Sequence, residues 1–268
     1  VLEAIGIDNV SSVVKLAVKG KINSYDIIQF RDKMPLLREL DLSETTVVAS
    51  DKAFYNGYCT GDNYLGDYTF SGLSNLFYVK LPENLVAIGK GCFSGVNNLR
   101  SIELPSTVQS LGERAFNGCT SLQSVKMPEN MQSIGIAAFA SCSSLKSIII
   151  PEGVTVLTVT NSFSDGVFYE CSALESVVLP YGLQGITKGT FYKCTKLKDI
   201  KLPPTVKTIE AQAFYNCSSL EEIRIPSSVE SIGGSAFSGC SKLNKVYTYT
   251  VEPTAIQEST FSTFQTAT

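Results

Sequence analysis

Seven prolines set a clock in this chain. Pro82, Pro105, Pro128, Pro151, Pro180, Pro203 and Pro226 are separated by 23, 23, 23, 29, 23 and 23 residues. Eleven residues after six of them stands a phenylalanine: Phe93, Phe116, Phe139, Phe191, Phe214 and Phe237. Phe168 joins the series once the six-residue insertion after Pro151 is subtracted. Six residues beyond each phenylalanine comes Leu99, Leu122, Leu145, Leu174, Leu197, Leu220 or Leu243, and three further on an isoleucine or valine. The unit reads L-x-x-[IV]-x-[LIM]-P-x-x-[VLM]-x-x-[IL]-G-x-x-A-F-x-x-C-x-x. A period between about 20 and 50 residues means a solenoid, because one such unit cannot bury its own apolar side and must stack on its neighbours.

The unit has a simple local logic. In "RSIELP" the letters alternate, so Ile102 and Leu104 fall on one face of a strand and Ser101 and Glu103 on the other. Pro105 ends the strand, since proline cannot donate to a central ladder. "VQSLGERAF" then turns the chain and carries Val108, Leu111, Ala115 and Phe116 back inward.

This pattern resembles the bacterial leucine-rich repeat family of the BspA type, over residues 37–248. The resemblance implies a right-handed leucine-rich repeat solenoid, β-rich α/β, with a concave parallel sheet and short helical or irregular turns on the convex side. It also implies a secreted or cell-surface binding module that adheres to host or matrix proteins or to other cells. The alternative is a spacer or scaffold within a larger surface protein. The whole is expected to form one structural domain and a monomer.

Residues 1–36 are expected to form an α/β cap of one strand and one helix. "VVKLAVKG" alternates like a strand, and Ile27, Phe30 and Met34 share a helical stripe. Asn23 suits an N-cap, with Asp26 placed three residues on as in a capping box. "LRELDLSETTV" reads as a first repeat with Ser43 where the proline would stand. The rhythm breaks twice, by sixteen extra residues near 55–70 and by six near 155–167. In residues 249–268 Pro253 and Phe264 keep the eleven-residue spacing but the cysteine and leucine are lost, so this segment reads as an irregular, truncated last repeat.

Six of the eight cysteines, Cys119, Cys142, Cys171, Cys194, Cys217 and Cys240, lie three residues after a repeat phenylalanine and should stack as a column. A coil spacing of ~4.8 Å lies within reach of a disulfide. Side chains in a stacked column point the same way, however, and Val96 fills the same place in one repeat, so free packed thiols are the favoured reading over bridges. Cys59, in the tyrosine-rich insertion, is the thiol expected to meet solvent.

Composition removes several functions. The chain has no histidine, which rules out Ser-His and Cys-His pairs, imidazole metal sites and the usual proton shuttle, so it is not expected to be an enzyme. A net charge of -3, from 22 basic and 25 acidic residues, does not suit nucleic acid. No apolar run nears the ~20 residues that span a bilayer. The glycines of "IGKGCF" align with "IGERAF" and so belong to the repeat, not to a phosphate loop. Asp62, Asn63 and Asp67 lack the spacing of a calcium loop and read as a solvated turn. No cofactor or metal is expected. The start at Val1 without a methionine suggests either a trimmed piece or a processed mature chain whose missing segment could have been an export signal, and an extracellular or surface location is expected.

Recognition should fall to the exposed strand positions. Four residues after each repeat leucine the column reads Lys80, Glu103, Lys126, Ile149, Val178, Lys201, Arg224 and Tyr247, beside Tyr78 and a track of Ser101, Ser124, Ser147 and Ser176. Ile149 and Val178 interrupt the charges, with Lys126 on one side and Lys201 and Arg224 on the other. This makes a candidate strip for an extended polypeptide or an acidic glycan. The competing reading is that two β-branched residues merely favour a strand. Tyr55, Tyr58, Tyr64 and Tyr68 form a second candidate, as a recognition surface or as a roof over one end of the core.

Overall fold

A computed structural model describes residues 10–157, 159–160, 162–249, 255–256 and 259–261. The chain winds into about ten stacked coils of short parallel strands, with little helix among the described residues. Strand β1 (Lys15–Ile22) leads into helix α1 (Ser24–Ile28). Asn23 caps α1 as its residue type demands: its side chain accepts from the Tyr25 N–H, and its own N–H donates to Asp26 Oδ2, both at 3.0 Å. A π-type turn, Gln29–Lys33, extends the helix, so that Ile27, Phe30 and Met34 all become buried. β1 pairs in parallel with β2 (Glu39–Val47), which pairs in turn with Tyr78–Lys80.

From there each coil contributes two short strands to two ladders. In the wider ladder Ser101–Glu103 faces Ser124–Lys126, Ser147–Ile149 faces Ser176–Val178, and Glu222–Ile225 faces Lys245–Thr248, all parallel and with like positions paired. In the narrower one Tyr64–Leu65, Ala87–Ile88, Ser110–Leu111 and Ser133–Ile134 follow one another, and Gly185–Ile186 through Ala255–Ile256 continue the pattern. Leu157 bridges to Ile134, so the six added residues emerge between Leu157 and Phe168. Tyr64 and Leu65 already hold ladder positions, so the extra residues of the first break lie ahead of them.

The period becomes contact. Phe70, Phe93, Phe116, Phe139, Phe168, Phe191, Phe214 and Phe237 form one stack with ring centroids 5.1–5.7 Å apart, every ring buried. From Phe93 onward the planes are within 16° of parallel. One further ring joins it: Phe261 stacks on Phe237 at 5.0 Å. Ile256 pairs with Ile232 and the Phe237 N–H donates to Thr260 O, so the last coil is 24 residues long. Pro253 and Phe264 themselves lie outside the described residues.

The cysteine column is real, and the thiols are free. Each Sγ donates to the carbonyl of the phenylalanine one coil earlier: Cys119 to Phe93, Cys142 to Phe116, Cys171 to Phe139, Cys194 to Phe168, Cys217 to Phe191 and Cys240 to Phe214, at 3.0–3.2 Å. Burial pushes the Cys119 and Cys171 thiols up to about 12 and raises those of Cys142, Cys194 and Cys217 as well. Where the unit carries a glycine after its second short strand, coil spacing is tight: a Cβ on Gly112 would lie 2.5 Å from Lys90 N, and one on Gly89 2.7 Å from the backbone of Gly66. That settles "IGKGCF" as a packing motif.

Candidate functional site

Alternation within each wide-ladder strand determines what solvent meets. Ile102, Ile148, Val177, Ile200 and Ile223 are buried, while the residues on either side of them face outward. The parallel register then aligns the outward residues across coils: Asp41 beside Lys80, Glu103 beside Lys126, Ile149 beside Val178, Lys201 beside Arg224, and Arg224 beside Tyr247. Tyr78 stands in the adjoining column next to Glu39. The nine sequence candidates therefore share one face, and the four serines lie on it as a flat exposed track.

Ile149 and Val178 are the outlying members of this face, 67% and 55% exposed although they are aliphatic. They line a groove of about 730 Å³ whose floor includes the half-buried Met127. A second, more polar groove of about 520 Å³ lies beside it, lined by Tyr78, Lys80, Glu83, Glu103 and Lys126 among others.

The cations around the apolar spot are fewer in effect than the sequence suggests. The Lys126 ammonium is held by Glu103 one coil away. Arg224 donates to Glu222 Oε1 at 3.2 Å and to the Tyr249 hydroxyl at 3.3 Å, and its guanidinium lies 4.6 Å from the Tyr247 ring centroid. These partners raise its pKa, Tyr249 first. Lys201 has no ion pair among the described residues. Asp41 is committed locally, accepting from Ser43 N–H and Oγ, and these bonds hold its carboxyl below the usual range.

Two acids that the sequence reading missed line the larger groove: Glu129 and Glu152. Each follows a repeat proline, Pro128 and Pro151, so the period itself was the signal that could have found them. Glu152 accepts from the Tyr181 N–H at 2.8 Å, and neither acid has an ion pair among the described residues.

The tyrosines of the first insertion turn toward one another. Tyr68 lies 6.2 Å from Tyr55 and 5.1 Å from Tyr58, centroid to centroid. Arg31 of the cap sits 4.8 Å from the Tyr55 ring centroid and donates to the carbonyls of Tyr68, Thr69 and Ser71. The Tyr64 hydroxyl donates to Asp67 Oδ1 at 2.7 Å, and burial, with that bond, raises its pKa. Tyr55 alone of the four is exposed. The cluster thus fastens the cap to the first coils. Asp62 and Asp67 are likewise used at home, accepting from the Ala49 and Lys90 N–H groups. Among the described residues no three His, Cys, Asp or Glu side chains are grouped to hold a metal, and no helix is long and apolar enough to cross a membrane.

Comparison with known proteins agrees with this architecture. A family model described as BspA type leucine rich repeat region, six copies, matches residues 62–166 and 161–268. A leucine-rich repeat protein of T. pallidum shares 31% identity and a TM-score of 0.53, over 61% of this chain and 73% of that one. One from Bacteroides ovatus shares 26% identity at a TM-score of 0.45, over 80% of this chain and 64% of that one. A leucine rich cell surface protein of Faecalibacterium prausnitzii shares 18% at 0.35, over 88% and 83%. No curated protein matches the sequence.

Proposed function

We propose, since this chain belongs to the BspA-type leucine-rich repeat family, that it is a module of the cell exterior which holds another protein against its wide parallel sheet. One observation carries the reading. Ile149 and Val178 stand side by side on a hydrogen-bonded ladder, exposed over a groove, where the coils before and after them present charge. Burying such a pair under a partner removes apolar surface from water at about 25 cal/mol per Å². The polar serine track and the charged columns around it supply the rim that protein interfaces have. Asp62 and Asp67 accept backbone N–H bonds and the column thiols are sealed, so these side chains serve the structure.

The test is an array of purified extracellular-matrix and cell-surface proteins probed with the folded chain, then with Ile149→Asp, Val178→Asp and Lys201→Glu variants. Capture by the parent and loss in the first two variants, with unchanged circular dichroism, is the expected result. Capture that survives both aspartates would remove the strip from the interface. The unbroken phenylalanine stack also favours a second reading, a stiff spacer, and an array on which the parent captures nothing would leave that one standing. Surface biotinylation of cells that carry the protein tests its location.

A further inference from the structure

The chemistry of the groove narrows what kind of polypeptide it can hold. Its apolar floor is Ile149 and Val178, on neighbouring coils. Its rim on the proline side carries Glu129 and Glu152, exposed carboxylates one repeat apart. The nearest cation of the strip, Lys126, lines the same groove, but its ammonium is engaged by Glu103 in the opposite direction. The groove therefore offers two carboxylates without ionic partners next to an aliphatic surface, which opposes an acidic glycan or an acidic peptide at this place.

We infer that the groove selects an extended polypeptide bearing a branched apolar side chain and, two residues away, a lysine or arginine. Geometry supports that spacing. In an extended ligand, residues two apart point the same way and lie ~6.8 Å from each other. Coils are ~4.8 Å apart, so a ligand running along the solenoid axis with its apolar side chain between Val178 and Ile149 sets its next same-side residue one to two coils toward the N-terminus. Glu129 stands on the coil before Ile149's and Glu152 on Ile149's own, so the two carboxylates bracket that place along the axis. A long basic side chain also keeps its stem on apolar surface while its head reaches the carboxylates. The inference rests on the protein-binding reading above and adds the sign of the charge and its spacing.

Two fluorescein-labelled peptides of one length and backbone composition test it, one with valine followed two and four residues on by lysine, the other with glutamate at those places. Anisotropy titration against the whole chain should show the lysine peptide binding about three- to tenfold tighter, an advantage that shrinks at high salt because the pairs are exposed. In a Glu129→Gln, Glu152→Gln variant the two peptides should become equal within about twofold. In an Ile149→Ser, Val178→Ser variant the lysine peptide should weaken while its remaining advantage over the glutamate peptide persists. A preference for lysine that survives Glu129→Gln, Glu152→Gln, equal affinities in the parent, or no binding of either peptide would overturn the inference. Those results leave the protein-binding reading intact if the array ligand still depends on Ile149 and Val178. Independence from Ile149 and Val178 on the array would instead sink the broader reading first.

Discussion

Cys142 and Ile149 belong to the same coil, yet their columns follow opposite rules. Moving along the solenoid, the inner position reads Val96, Cys119, Cys142, Cys171, Cys194, Cys217 and Cys240, small and apolar at every step. The outer position reads Glu103, Lys126, Ile149, Val178, Lys201, Arg224 and Tyr247, with acid, base, aliphatic and aromatic in turn. Inside, each residue faces the same neighbours as its counterpart one coil away, so the same solution recurs: a phenylalanine on a phenylalanine, a thiol under a carbonyl. Outside, a residue faces water and whatever is bound there, and nothing in the stack asks for repetition. Repetition thus marks what the core requires and variation marks where specificity is free to be written.

The widest gap between the two columns should appear at alkaline pH. Cys92, Cys119, Cys142, Cys171, Cys194 and Cys217 all have thiols raised by burial, Cys119 and Cys171 to about 12. In the unfolded chain a thiol ionises near pH 8.5. A group whose folded pKa is raised contributes its stability below the unfolded value and loses it as pH climbs toward the folded one. Between about pH 8.5 and 12 Cys119 and Cys171 therefore each remove roughly 1.4 kcal/mol per pH unit, about 3 kcal/mol per unit together, and the other raised thiols act in the same direction. Cooperative unfolding by about pH 10, followed by circular dichroism, is the expected outcome. A melting temperature that stays level from pH 8 to 10.5 would mean these thiols are not sealed.

Next in size is the ring stack. Phe139→Ala takes one ring from between Phe116 and Phe168 and should cost about 3–5 kcal/mol in urea unfolding, since both neighbours are held by their own coils and cannot close the gap. Cys142→Ala removes less volume and the S–H bond to Phe116 O, for about 1–2 kcal/mol. Cys142→Val should cost less than Cys142→Ala, because Val96 already occupies this column without a thiol. A valine variant worse than the alanine one would show that the sulfur bond, and not filled space, is what the column needs.

Much of this was readable from letters alone, for a physical reason. A solenoid converts sequence period into spatial adjacency, so Phe93 above Phe116, the packed thiols, the buried Ile102 and the exposed Ile149 all follow from counting. The capping box at Asn23 is equally local. What escaped was set by conformation rather than by period. Phe261 joins the stack because the last coil takes one residue more, which the spacing of Pro253 and Phe264 conceals. Lys126 reads as a free cation until its rotamer turns to Glu103. Glu129 and Glu152 were legible in the period, each one residue past a repeat proline, but that they line one groove with Ile149 depends on how the chain turns there. The tyrosine cluster depends on Arg31 reaching across from the cap, a contact no window of sequence contains.

The smallest expected effect is the sharpest check on the outer column. Lys126 and Glu103 form the one ion pair inside the nine-residue strip among the described residues, with side chains 74% and 68% exposed. At such exposure water screens the attraction and two flexible chains lose freedom to hold it, so a double-mutant cycle of Glu103→Ala and Lys126→Ala should give a coupling of about 0.2–1 kcal/mol that fades in high salt. A coupling above about 2 kcal/mol, undiminished by salt, would make the pair a structural clasp between coils. The outer column would then obey the same constraint as the inner one, and variation along it would no longer point to recognition. A small, salt-sensitive coupling keeps Lys126 available to exchange Glu103 for a ligand at little cost, which is what a surface that binds by charge and shape requires.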